Sequence, residues 1–126
     1  MHTVSYIERK NFVKFDNEHY LLYLNEKKAE VKNEKTGESV QGFSYTGYTG
    51  SHPDGGTMVE AKDVNDDNRR AKFVAGLIGT EYDIDRQIAI LANGRDTDEH
   101  ADELKDFEDN RRLVKQTIDE LLVRRL

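Results

Sequence analysis

The residues of this 126-residue chain that could do chemistry are few, because it contains no cysteine. No thiolate ligand, thiol nucleophile or disulfide framework can exist, and four histidines remain for any metal or acid–base role. Asp96, His100 and Glu103 are spaced four and three apart, which would place them on one face of a helix. A metal there is conceivable, but a hydrogen bond from His100 to Glu103 one turn away is the simpler outcome. Ser51, His52 and Asp54 have the residue types of a hydrolase triad, yet a triad converges from separate elements beside an oxyanion hole, and close neighbours in one loop do not. Asp63-Val64-Asn65-Asp66-Asp67 begins like a calcium-binding EF-hand loop. Its sixth position is Asn68, where glycine makes the sharp turn, and its twelfth is Val74, where a bidentate glutamate is required. Capping of a following helix accounts for these residues.

Four glycines and the only proline fall between residues 47 and 56. No Lys-Ser or Lys-Thr pair follows, as a phosphate-cradling P-loop needs, and the Gly-x-Gly-x-x-Gly spacing of a dinucleotide site is absent. The expectation is therefore no catalytic set, no cofactor and no bound metal. The same stretch holds the only tandem repeat, Tyr45-Thr46-Gly47 followed by Tyr48-Thr49-Gly50. Residues 45–56 read as an exposed, mobile loop in which Tyr45, Tyr48 and His52 could contact a partner through ring surface and polar tip together. The alternative is a connector whose tyrosines lie back on the sheet.

The elements that would position these residues divide the chain in two. From Val4 to Tyr48 the pattern is short and strand-like: Phe12 to Phe15, His19 to Leu24, Ala29 to Glu34 and Ser39 to Tyr48 are separated by polar breaks at Asp16-Asn17-Glu18, Asn25-Glu26-Lys27 and Lys35-Thr36-Gly37. Strands taken in this order would make an antiparallel β-meander, with the charged third strand at an edge. Thr57 to Ala61 is one more brief strand. Asp63 to Asp67 then supplies caps for a helix with Ala71, Val74, Ala75 and Ile78 on one face, ending at Gly79. Asp83 or Asp85 opens a second helix with a stripe of Ile84, Ile88, Leu91 and Ala92, stopped at Asn93-Gly94.

The longest patterned run is Asp96 to Leu126. Leu104, Phe107, Val114, Ile118 and Leu121 recur at helical spacing, interrupted by Arg111, with Asp96 or Thr97 as cap and acids in the first turn. This stripe either packs on its own chain or pairs between subunits as a short coiled coil, and the sequence leaves both open. The expected architecture is one α+β domain over residues 1–126, with a strand-rich half at 1–62 and a three-helix half at 63–126 whose last helix is longest.

Composition bounds the partners. Net charge is −6, with 8 basic and 9 acidic residues in 1–62 against 11 and 16 in 63–126. Affinity for nucleic acid comes largely from cations at phosphates, so an acidic chain argues against that partner. The longest apolar run, Ile88 to Ala92, is too short to cross a bilayer, and no amino-terminal apolar run resembles a signal peptide, so the expectation is a protein that is cytoplasmic on synthesis and has no membrane partner.

Residues 47–93 carry a resemblance. Gly47-Tyr48-Thr49-Gly50, the Pro53-Asp54-Gly55-Gly56-Thr57 turn with Met58-Val59-Glu60-Ala61, the run Phe73-Val74-Ala75-Gly76-Leu77-Ile78, and Tyr82-Asp83 leading into Gln87-Ile88-Ala89-Ile90 resemble small proteins encoded among phage and prophage structural genes of gut bacteria. The resemblance implies a virion, tail or assembly context and supplies no catalytic or ligand residues. Two functional expectations follow. One is a structural or interaction protein that self-associates or bridges larger components through the Leu104–Leu121 stripe. The other is a monomeric module that holds a peptide, glycan or protein partner with the 45–56 loop.

Overall fold

A computed structural model describes residues 2–48 and 52–126. Among these, six strands precede three helices: β1 (Thr3–Tyr6), β2 (Phe12–Lys14), β3 (His19–Leu22), β4 (Lys27–Lys32), β5 (Ser39–Thr46), β6 (Thr57–Glu60), α1 (Arg69–Gly79), α2 (Ile84–Asn93) and α3 (Asp98–Leu122). The class is α+β, as the sequence indicates. The connectivity is not a sequential meander, because the strands form two antiparallel three-stranded sheets ordered β1-β5-β4 and β2-β3-β6.

The two hairpins, β2–β3 and β4–β5, join chain neighbours, whereas β1 finds β5 and β3 finds β6 across about forty residues, in registers Val4↔Tyr45 and Tyr20↔Val59. Strand β4 lies at an edge and carries Lys27, Lys28, Glu30 and Lys32, charges that discourage pairing with a stray strand.

Three layers result, and β3 with its continuation to Leu24 is the middle of them. Leu21, Leu22, Tyr23 and Leu24 are all buried, and their alternation sends odd and even residues to opposite faces. Leu22 and Leu24 join Val59, Phe73, Leu77, Phe107, Ile118 and Leu121 in the core between the second sheet and the helices. Leu21 and Tyr23 join Tyr45, with Tyr6, Phe43 and Met58 beside them, between the two sheets. A continuous buried run of four residues is what a strand covered on both faces requires.

Helix α1 approaches β6 closely at Gly76, where a Cβ would stand 2.7 Å from the Glu60 carbonyl oxygen and 3.1 Å from Val59 Cβ. The loop before α1 is held by Asn65, whose Oδ1 accepts from the amides of Asp67 and Asn68, and by Asn68, whose Nδ2 donates to the Asp63 carbonyl. These residues therefore build the turn before α1, but the expected capping is not made: Asn68 stands at the cap position with no side-chain hydrogen bond to the amides of the first helical turn, because its amide group is used within the loop. Asp83 caps α2 by accepting from the Arg86 amide at 2.7 Å, and Thr97 caps α3 by accepting from His100 N–H at 3.1 Å. Gly94, at φ +55°, ends α2 in the left-handed region that glycine tolerates.

Candidate functional site

The structure places the expected contact residues in different surroundings from those expected for most of them. Tyr45 belongs to β5 and has no exposed surface. Its hydroxyl donates to Glu26 at 2.8 Å and accepts from the Lys10 amide at 2.8 Å. Tyr48 is half-buried, its hydroxyl donating to Asn25 Oδ1 at 3.0 Å and its amide to Thr57 Oγ1 at 3.1 Å. These tyrosines lie back on the sheets and are not free contact residues, so the loop expected at 45–56 starts later; Thr49, Gly50 and Ser51 lie outside the described residues. His52 is half-buried beside the Phe15 ring, and its Nδ1 is 3.5 Å from Asp54 Oδ1.

The long-helix stripe also turns inward. Leu104, Phe107, Val114, Ile118 and Leu121 are 0–6% exposed within their own chain, against α1, the second sheet and Ile90 of α2. They are core, and so offer no free face for self-association. Arg111, which breaks the stripe, is exposed and lies over the Phe107 ring. At the start of α3, His100 hydrogen-bonds Asp96, four residues earlier, and not Glu103; the bond raises the His100 pKa. No group of three or more histidines and carboxylates among the described residues is placed to hold a metal ion.

The sequence reading missed a polar junction between the two sheets and the end of α3. Arg124 is buried there, its guanidinium donating to the Lys10 and Tyr23 carbonyls and to both oxygens of Glu120, with Glu26 3.6 Å away. Arg9 pairs with Glu26 from the opposite side at 2.8 Å. Burial alone would raise the Glu26 pKa, but the hydrogen bonds from Arg9 and Tyr45 and the charge of Arg124 hold it below the usual carboxylate range. Tyr45 is pushed up to about 12, chiefly by burial. Close by, the Tyr23 hydroxyl donates to Asp54 at 2.7 Å, Tyr6 donates to the Asp54 carbonyl, and Lys10 Nζ sits 4.5 Å from the Tyr6 ring centroid. Every member of this junction has a partner within the chain. A fixed tie between layers is what such a set makes, with a tyrosine too weakly acidic to serve as a base near neutral pH.

The open surface lies on the other side, among the helices. Helix α2 packs on α3 but barely meets α1. At 100° per residue, Gln87 and Ile90 point inward, while Ile84, Ile88 and Leu91 centre about a quarter of a turn away. These three are 67%, 60% and 56% exposed. Beside them a groove of about 440 Å³ runs between α1 and α2 over α3. Small side chains keep its floor open: Ala71 and Ala75 are exposed there, next to the buried Val74, Ile78 and Phe107. A second cleft of about 540 Å³, sharing Ala75, Ile84 and Gln87 with the groove, continues toward Lys62 and Lys72.

The rim of the groove is basic. Arg70, Arg111 and Lys115 line it with no acidic residue among the lining side chains, although the chain as a whole is acidic. Arg70 is paired with Asp119 at 2.6 Å, whereas Arg111 and Lys115 have no carboxylate within ion-pair distance among the described residues. An apolar trough with cations along its edge suits an apolar segment that carries acids on its flank. Among the described residues no helix is long and apolar enough to cross a membrane. Comparison with family models, with curated proteins and with solved structures finds no match to this chain.

Proposed function

We propose that this chain is a non-enzymatic interaction protein that docks a protein partner on its helical face, through the α2 stripe and the groove beside it. The observation that carries the reading is the exposure of Ile84, Ile88 and Leu91 side by side on one helix. Solitary exposed aliphatic residues are ordinary, whereas a contiguous set bordering a groove marks a contact surface. A bridging or assembly role, of the kind implied by the resemblance of residues 47–93 to phage structural-gene products, is consistent with a chain whose polar clusters are taken up in holding its layers together. The other expectation, a module that recognises its partner with the tyrosine loop, has less support, since Tyr45 and Tyr48 spend their hydroxyls on Glu26 and Asn25.

A photo-crosslinking side chain introduced at position 88, in cells that naturally express the protein, tests the reading. It predicts a protein adduct of defined mass that is lost when the same group is moved to exposed position 14 on β2. Illumination that yields no adduct from position 88 contradicts it.

A further inference from the structure

The groove has its complement on the same molecule. Helix α2 displays Ile84, Ile88 and Leu91 at the i, i+4, i+7 spacing with which an amphipathic helix seats in an apolar trough. The amino-terminal end of that stripe carries two acids, Asp85 in the first turn of the helix and Asp83 at its cap, against one cation, Arg86, whose guanidinium lies over the Tyr82 ring. The groove beside it has an apolar floor and a rim of Arg70, Arg111 and Lys115. Resting on the docking reading above, we propose that the occupant is a second copy of this chain, with α2 of each protomer seated on the groove of the other about a two-fold axis.

Reciprocity is the first argument. With α2 of one protomer between α1 and α2 of the other, the helices across the shared face run α1, partner α2, own α2, partner α1. Each stripe and each groove is then used once, and the assembly closes as a dimer without a leftover sticky face. Charge is the second. The groove is lined by cations and no acids on a chain of net charge −6, and the stripe that fits it brings acids at one end. Two-fold symmetry applies each attraction twice, which offsets part of the repulsion between two acidic protomers.

Extent is the third argument. A ten-residue helix is about 15 Å long. Ile84 and Leu91 of the stripe also form one wall of the groove, so each protomer presents one continuous apolar face, and two such faces laid together approach the roughly 1,000 Å² of total area that a specific interface needs. Dimerisation through so compact a patch is reversible, so the assembled fraction rises with protein concentration.

Light scattering on the purified full chain at two concentrations about a hundredfold apart tests the inference. Wild type is expected to move from 14.5 kDa toward twice that mass as concentration rises. Ile88→Asp is expected to stay monomeric at both, with an unchanged far-ultraviolet circular dichroism spectrum, because the residue is exposed. Arg111→Glu with Lys115→Glu is expected to weaken dimerisation at least tenfold, and adding Asp85→Lys to restore it, since each protomer then carries both halves of the reversed pairing.

A wild-type mass of 14.5 kDa at both concentrations overturns the second copy as occupant. So does a dimer that survives Ile88→Asp, or a triple variant that stays monomeric. The photo-crosslink at position 88 separates this failure from that of the docking reading. An adduct whose mass fits another protein leaves docking standing and rejects the second copy, while the absence of any adduct rejects both.

Discussion

Helices α2 and α3 carry the same kind of apolar stripe and meet opposite fates. The five stripe residues of α3 are 0–6% exposed, whereas Ile84, Ile88 and Leu91 of α2 are 56–67% exposed. Periodicity identifies which residues share a face, because a helix repeats every 3.6 residues, but it carries no information on what that face meets. Length contributes to the difference. Helix α3, with 25 residues, spans both α1 and the end of the strand layer, while α2, with 10, is held to α3 mainly by Ile90. The stripe that looked more like an assembly surface is thus the interior, and the shorter one is left exposed.

Substitutions that sharpen this contrast have their largest effect in α3. Phe107→Ala removes a ring that is 1% exposed and packs 5.0 Å from Tyr82, and is expected to cost about 3–5 kcal/mol in denaturant unfolding. Ile118→Asp places a charge where no partner exists and is expected to leave no cooperative unfolding transition. By contrast, Ile88→Ala is expected to change monomer stability by no more than about 0.5 kcal/mol. If Ile88→Ala destabilised the monomer as much as Phe107→Ala, the two stripes would not differ in kind.

The Arg124 junction comes next in size. Arg124→Met keeps much of the aliphatic volume but strips Glu26 of one cation and leaves the Tyr23 carbonyl without its donor; about 2–3 kcal/mol of stability is expected to go, since Arg9 still pairs with Glu26. Gly76→Ala follows, at about 1–3 kcal/mol, because the added methyl meets the Glu60 carbonyl oxygen at 2.7 Å. Both are measured by chemical denaturation of dilute protein.

Dependence on pH has the smallest expected amplitude and a definite sign. Glu26 and Asp54 are held below the ordinary carboxylate range in the folded chain, Asp54 by the Gly56 amide and the Tyr23 hydroxyl against the opposing effect of burial. Their contribution is complete above the unfolded value of about 4 and is lost as pH falls through the lower folded values. Tyr45 behaves in the opposite sense. Its folded value of about 12 favours the neutral phenol, so its contribution is complete below the unfolded value and declines as pH rises from there through about 12. Stability of Glu26→Gln is expected to vary less than that of wild type on the acid side, and Tyr45→Phe less on the alkaline side.

Local rules made much of this architecture legible. Asp83, Thr97 and Gly94 mark helix ends because short oxygen-bearing side chains satisfy free amides and glycine accepts positive φ, and all three act as those rules require. The charged β4 sits at an edge for the reason its composition suggests. What stayed hidden depends on distant partners. Strand β1, Thr-Val-Ser-Tyr, alternates but is only four residues long, too short to stand out, and exists because β5, some forty residues away, pairs with it. In sequence Arg124 is one more charge beside Arg125 near the chain's last leucine, and only tertiary packing gives it two backbone carbonyls and Glu26 to meet. The groove was not legible either. Ala71 and Ala75 were visible on one face of α1, but their neighbours across the gap come from α2 and α3.

The account rests on the claim that the α3 stripe is interior and the α2 stripe is the docking face. Hydroxyl-radical footprinting, read residue by residue by mass spectrometry over a range of protein concentrations, tests both halves at once. The account predicts that Leu104, Ile118 and Leu121 stay unmodified throughout, while Ile84, Ile88 and Leu91 react in dilute protein and become protected as concentration rises. Reactive α3 residues beside an α2 stripe protected at every concentration would contradict it.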